Sequence, residues 1–376
     1  MASNEISTYT IHSYAKLAYE CTHDNEIIIK PQDNYESVCD YIDKHNNTLL
    51  ILACANSSSD FALKLLATPN KCNIGHVDNF GNTALMYACK YKLESVALKL
   101  LENYSGCNIE QSNIYGETAF TYSIRSKLGS VALKFLEHPN KCKIDHISLD
   151  GQSMLYLSCK GNLEDVALKL LEYPNKCNIG FACDDNTDLI WACYNALTKI
   201  TMKLLCEYSN RYDLGRADND GHTVLMWACN NELEEIVFKL LEYPDSCNIG
   251  YAGGVYNRNA FLLACGGSNE TIPLKLLENF DQCNVNYVDK EDMTAAKYAK
   301  ENKFNNVLNV LKTTMIIEHT DNKECLICHT LNDSRVHFNT CTHAINVCKS
   351  CFPRFCSVTK CPICREDIDN RTFVIK

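Results

Sequence analysis

The stretch FGNTALMYACKYKLESVALKLL, residues 80–101, decides the fold. Gly81 suits a tight turn of positive φ. Thr83, two residues on, is a helix N-cap whose hydroxyl accepts from the bare N–H groups of a first turn. Leu85 and the small Ala88 follow on a short helix, the small side chain letting a neighbouring helix come close. Val96 and Leu100, four apart, then mark the buried stripe of a second, amphipathic helix.

Outward from this stretch the same grammar returns. Anchors equivalent to Thr83 stand at Thr48, Thr118, Ser153, Thr187, Thr223, Asn259 and Thr294, at intervals of 34 to 36 residues. A turn-forming residue precedes each by two: Asn46, Gly116, Gly151, Asp185, Gly221, Asn257 and Asp292. Small residues stand five after the anchor (Ala53, Ser123, Ser158, Ala192, Ala228, Ala264, Ala299), and apolar pairs such as Val131/Phe135 and Ile236/Leu240 recur in the second helix. Eight units of fixed period predict a mostly helical solenoid, each unit burying its apolar face against its neighbours. Lys312 replaces the leucine that closes the second helix of the seven earlier units, as expected where such a stack ends.

The turn-helix-helix unit with G-x-T-x-L-x-x-A and a later V-x-x-x-L-L resembles the ankyrin repeat over about residues 47 to 313. It departs in reading Thr83-Ala84-Leu85-Met86 where the family has T-P-L-H. Each unit is also about two residues longer than usual, an excess we place after the second helix in Tyr-Pro-Asn-Lys-Cys-Asn-Ile. Residues 1–46 read as a divergent N-terminal cap with candidate helices at Tyr14–Cys21 and Tyr35–Tyr41. The array runs over 47–317, and 318–376 form a separate module.

The chain has 376 residues and 24 cysteines. A formal charge of -10 and the lack of any Lys/Arg block argue against nucleic acid or an anionic membrane as the main partner. The start MASNEISTYT lacks a secretory pattern, and no apolar run approaches a membrane span. The expected location is therefore a reducing cytoplasm. Two cysteine rows, Cys54, Cys89, Cys159, Cys193, Cys229, Cys265 and Cys72, Cys107, Cys142, Cys177, Cys247, Cys283, follow the repeat without metal-ligand spacing and read as small buried apolar groups. A third row, Leu52, Tyr87, Tyr122, Leu157, Trp191, Trp227, Leu263 and Tyr298, is either inter-repeat packing or an aromatic binding patch. Turn tips such as Phe80, Ile114, Tyr115 and Asn219 are the expected contact residues. His76, His138, His146 and His222 are isolated, and the array carries no catalytic motif.

The last fifty-odd residues have different chemistry. Cys325-x2-Cys328, Cys341-x-His343, Cys348-x2-Cys351 and Cys361-x2-Cys364 are ligands for two zinc ions, with Cys356 left over. The segment is too poor in apolar residues to fold alone, so metal binding would supply its folding free energy. The series resembles the RING finger, most closely those that end inhibitor-of-apoptosis proteins. That resemblance implies a cross-brace, with Cys325, Cys328, Cys348 and Cys351 on one ion and Cys341, His343, Cys361 and Cys364 on the other. His343 is followed by four residues before Cys348 where the family has two or three, which leaves His337 as an alternative ligand.

RING fingers are mainly ubiquitin ligases. The resemblance implies a platform of Ile327, Phe355 and Pro362 for a ubiquitin-charged conjugating enzyme (E2), with Arg365 as the linchpin that contacts enzyme and ubiquitin. The tail 370–376 resembles the one through which dimeric RINGs pair. The joint architecture resembles Mind bomb and plant ankyrin–RING ligases, and the Asn-, Lys-, Ile- and Tyr-rich composition resembles ankyrin paralogues of giant DNA viruses, which would place the chain in a host cytoplasm. The expected function is a ligase whose repeats select a protein substrate; the alternative is a non-catalytic scaffold with a structural zinc module.

Overall fold

The computed structural model describes residues 41–67, 72–103, 105–183 and 186–311, and the backbone of three short strands at 336–338, 344–345 and 373–375. The two N-terminal candidate helices, Asp185, Lys312, the eight expected zinc ligands, Cys356 and the expected platform residues Ile327, Phe355, Pro362 and Arg365 lie outside the described residues, apart from Tyr41 at the end of the second candidate helix.

The chain forms two compact units, Met1–Asp213 and Leu214–Lys376. The first holds five helix pairs: Leu49–Ala55 with Ser59–Leu65, Ala84–Lys90 with Glu94–Leu101, Ala119–Arg125 with Gly129–Phe135, Met154–Lys160 with Glu164–Leu170, and Asp188–Tyr194 with Thr198–Tyr208. The second holds Val224–Asn230 with Glu234–Leu240, Ala260–Gly266 with Thr271–Leu276, and Ala295–Glu301 with residues 305–311. Within each unit, first helices pack on first helices and second on second.

All eight anchors are N-caps. The side chains of Thr48, Thr83, Thr118, Ser153, Thr187, Thr223, Asn259 and Thr294 each accept from the backbone N–H three residues on, at 2.8–3.3 Å. The turns before them take positive φ at Asn46, Gly81, Gly116, Gly151, Gly221, Asn257 and Asp292. The small residues five after the anchor are all buried, as are Val96, Val131, Ile200 and Ile236 of the second helices. Phe135, where other units have leucine, packs its ring 5.6 Å from that of Phe120, and both are fully buried.

The N-cap residues of the second helices from Ser59 to Leu276 make no side-chain capping bond, and two second helices borrow a carboxylate from the repeat before. Glu164 Oε1 accepts from the backbone N–H groups of Lys199 and Ile200 at 2.9 and 3.2 Å. Glu270 Oε1 does the same for Asn306 and Val307 at 2.7 and 3.2 Å. A carboxylate at a helix N-terminus satisfies orphan donors and opposes the helix dipole, and here it also joins successive repeats.

Both periodic cysteine rows are buried. The second row has a further role: the thiols of Cys72, Cys247 and Cys283 donate to the carbonyls of Leu65, Leu240 and Leu276 at 3.5, 3.1 and 2.9 Å. They thus satisfy acceptors left open at the end of the second helix. The extra loop length is pinned there by pairs such as Cys107/Ile109 and Cys142/Ile144, all buried.

At the C-terminal end, strand β1 (Val336–Phe338) lies between β2 (Ala344–Ile345) and β3 (Phe373–Ile375), antiparallel to both. The register pairs Val336 with Ile345 and with Ile375. The tail strand therefore pairs within its own chain. No helix among the described residues is long and apolar enough to cross a membrane.

Candidate functional site

The best-defined surface lies in the first unit, where turns and first helices meet. Five of the turns are closed by the side chain of an Asp or Asn five before the anchor. Asp78 Oδ1 accepts from the backbone N–H groups of Phe80 and Asn82, both at 2.8 Å. Asn113 Oδ1 accepts from Tyr115 and Glu117 at 3.0 and 2.9 Å. Asp43, Asp218 and Asp289 close their turns in the same way. Successive turns join by backbone bonds, Asn79 N–H to His45 O at 3.2 Å and Ile114 N–H to Phe80 O at 2.9 Å, and then by the Cys183 thiol to Asp150 O at 3.0 Å.

Held this way, the tips project apolar groups into solvent: Phe80 is 48%, Ile114 63%, Tyr115 56% and Leu149 75% exposed. The expected contact residues Phe80, Ile114 and Tyr115 therefore share one ridge; Asn219, also exposed, is in the second unit. Leu149 belongs to the ridge and was not among the expected residues, although it repeats Ile114 at the 35-residue period.

The aromatic row four after the anchor is neither plain core nor free patch. Leu157 is buried, while Tyr87, Tyr122, Trp191, Trp227 and Tyr298 are half-buried. Except in Trp191, their polar tips reach back to the turn-closing residues. Tyr87 Oη–H donates to Asp78 Oδ2 at 2.8 Å, Tyr122 Oη accepts from Asn113 Nδ2 at 3.1 Å, and Tyr298 Oη–H donates to Asp289 Oδ2 at 2.9 Å. Burial, reinforced by the Asp78 carboxylate, pushes the Tyr87 phenol well up. Sequence reading missed these turn-closing residues, although their constant offset of five from the anchor was visible.

Cations lie over the row. Lys90 Nζ stands 5.6 Å from the Tyr91 ring centre and 5.8 Å from that of Tyr122. Lys160 Nζ stands 5.7 Å from Tyr156 and 5.2 Å from Trp191. Arg125, between them in sequence, pairs with Glu117 at 3.3 Å and Asp150 at 3.1 Å. Burial raises the Glu117 carboxyl, and Arg125 opposes that rise. In the second unit the Arg258 guanidinium lies over Tyr256 and Tyr298, and it pairs with Asp289 at 2.9 Å and Glu291 at 2.6 Å.

The histidines fill structural places. His76 Nε2 is 2.9 Å from Asn46 O, and the His222 ring lies 4.5 Å from that of Trp227. Burial lowers His146. Among the described residues no group of three or more His, Cys, Asp or Glu is placed to hold a metal ion.

Among solved structures, one match is the crystal structure of the human ASB11 ankyrin repeat domain, at 17% identity over 61% of this chain and 97% of that one, with a TM-score of 0.42. No curated protein matches the chain. A family model described as "Ankyrin repeats (3 copies)" matches residues 25–113 and 155–252. The helical repeats within those residues are thus ankyrin repeats, modules that serve protein–protein interaction.

Proposed function

We propose that the chain is a RING-type ubiquitin-protein ligase. In this reading the ankyrin face carrying Phe80, Ile114, Tyr115 and Leu149 holds a protein substrate, and residues 318–376 recruit a ubiquitin-charged E2. The observation that carries the proposal is the donor set: seven cysteines and His343 in four closely spaced pairs, within forty residues. Soft thiolate and imidazole ligands at that spacing suit two tetrahedral zinc ions. Cys325, Cys328, Cys348 and Cys351 would hold one, and Cys341, His343, Cys361 and Cys364 the other. Zinc supplies the folding free energy of the module.

Ile327, Phe355 and Pro362 then form an apolar platform for the E2. The Arg365 guanidinium donates from a fixed fork to carbonyls of the E2 and of ubiquitin. Transfer to a substrate lysine is accelerated by positioning the thioester, without a covalent intermediate on this chain. Binding substrate and E2 on one chain raises their effective concentration, so a shallow platform suffices. A paired form through the tail 370–376 belongs to the same reading.

The test incubates the full chain with an activating enzyme, a panel of E2 enzymes, ubiquitin and ATP. Wild type should build chains, with Ile327→Ala and Arg365→Ala each reducing them at least tenfold. No chains with any E2, or equal chains from wild type and both variants, would leave the protein a binding scaffold.

A further inference from the structure

Two sets of lysines in the first unit differ in their electrostatic surroundings. On the second helices of the first unit, Lys99, Lys134 and Lys169 each pair with a glutamate three residues on, at 2.6–2.7 Å, so that surface neutralises itself repeat by repeat. On the first helices, Lys90 and Lys160 are exposed, and neither has a carboxylate at ion-pair distance among the described residues. Each stands over aromatic rings. Such contacts restrain an ammonium group without cancelling its charge, so less side-chain freedom is lost when an anion arrives. The central cation, Arg125, is already satisfied by Glu117 and Asp150.

We propose that this face takes an extended acidic segment of a partner protein, with two carboxylates separated by an apolar centre; the inference rests on the protein-binding reading above. Packed helices stand about 8–10 Å apart, so Lys90 and Lys160, two repeats apart, are separated by roughly 20 Å. An extended chain covers that distance in about six residues at about 3.3 Å each. The partner therefore presents an acidic side chain to Lys90 and a second about six residues away to Lys160. Between them, beside the neutralised Arg125, its apolar side chains meet Ile114 and Leu149. In a chain of net charge -10, two uncompensated lysines flanking an apolar ridge select an acidic ligand locally against an overall repulsive field.

The test measures fluorescence polarisation of labelled peptides, each of roughly twelve residues, on the full-length chain. The three peptides share an apolar centre and carry Asp, Asn or Lys at both of two positions about six apart. The Asp peptide should bind at least tenfold tighter than its Asn twin. That advantage should shrink several-fold between about 0.05 and 0.3 M salt. It should vanish in Lys90→Gln/Lys160→Gln, whose helical circular dichroism and melting should match wild type because both positions are exposed. If the Asp and Asn peptides bind equally and Leu149→Asp abolishes both, the acidic preference is overturned while the docking face stands. If no peptide binds in a manner sensitive to Leu149→Asp or Ile114→Asp, the docking face falls with it.

Discussion

Trp227 donates its indole N–H to Asp218 Oδ2 at 2.7 Å, and the other oxygen of that carboxylate closes the turn before Thr223. Trp191 occupies the same place in the preceding repeat, yet its buried indole N–H has no acceptor among the described residues. That repeat is one residue shorter; Ala182 stands five before Thr187, and the turn closes between Cys183 and Asn186 instead. Losing a hydrogen bond to a charged group costs about 1.5–3 kcal/mol, whereas removing a donor that was never satisfied costs little. Trp227→Phe should therefore lower stability by about 2 kcal/mol, and Trp191→Phe by less than about 1. Urea unfolding followed by circular dichroism measures both, and equal losses would contradict this account.

Asp188 is fully buried at a position that is apolar in every other repeat. Burial pushes its carboxyl up to about 6, although backbone N–H groups of Gly180 and Leu189 donate to it. The folded chain then holds a proton that the unfolded chain releases near the ordinary value of 3.8. Stability should fall as pH rises from about 4 to about 6, and the loss should be complete above that. A shift of about two units corresponds to about 3 kcal/mol. Asp188→Asn should be more stable than wild type at pH 7, with the difference closing towards pH 4. Denaturant midpoints across that range decide it; parallel curves would place the cost elsewhere.

The legible features were those that repeat and use residue types with one dominant preference. Hydroxyl or amide anchors became caps, and Gly81, Gly116 and Gly221 became left-handed turns, because few alternatives suit those types. Glu164 and Glu270 were invisible as caps for the next repeat, since the helix each one caps lies about 35 residues on and only the packed spacing joins them. The aromatic row was ambiguous because its rings and its polar tips do different jobs. Of the proposed zinc module, the sequence names ligands, and the backbone adds strands β1 and β2, which flank Cys341 and His343 in the chain.

The corner between the two helices of a repeat carries another feature without a sequence signal. Ser57, Lys92, Lys127, Asn162, Ala196, Glu232 and Lys303, each nine after its anchor, have φ between 54° and 62°. A side chain in this region is strained by about 1–2 kcal/mol, partly offset on replacement by glycine's larger loss of backbone entropy. Ala196 is exposed, so nothing is lost by removing its methyl. Ala196→Gly should stabilise the chain by about 0.5–1 kcal/mol. Ala192→Gly, inside the helix Asp188–Tyr194 and buried, should do the opposite. A lower melting temperature for Ala196→Gly would refute the strain.

Thiol chemistry separates the two kinds of cysteine that the chain is proposed to contain. Burial pushes Cys54, Cys142, Cys177, Cys193, Cys247 and Cys283 up to about 12, which keeps them protonated and shielded at neutral pH. Cys206 is the exposed cysteine among the described residues. In the native protein, alkylation at about pH 7.5 should therefore label Cys206 and leave the periodic rows untouched, as read by peptide mass spectrometry. Chelation should then open Cys325, Cys328, Cys341, Cys348, Cys351, Cys361 and Cys364 to the reagent while the repeats stay folded by circular dichroism, with two zinc ions released per chain. Labelling of Cys54 or Cys247 at the rate of Cys206 would show that the repeat core opens freely. No change on chelation would remove the zinc from the proposal.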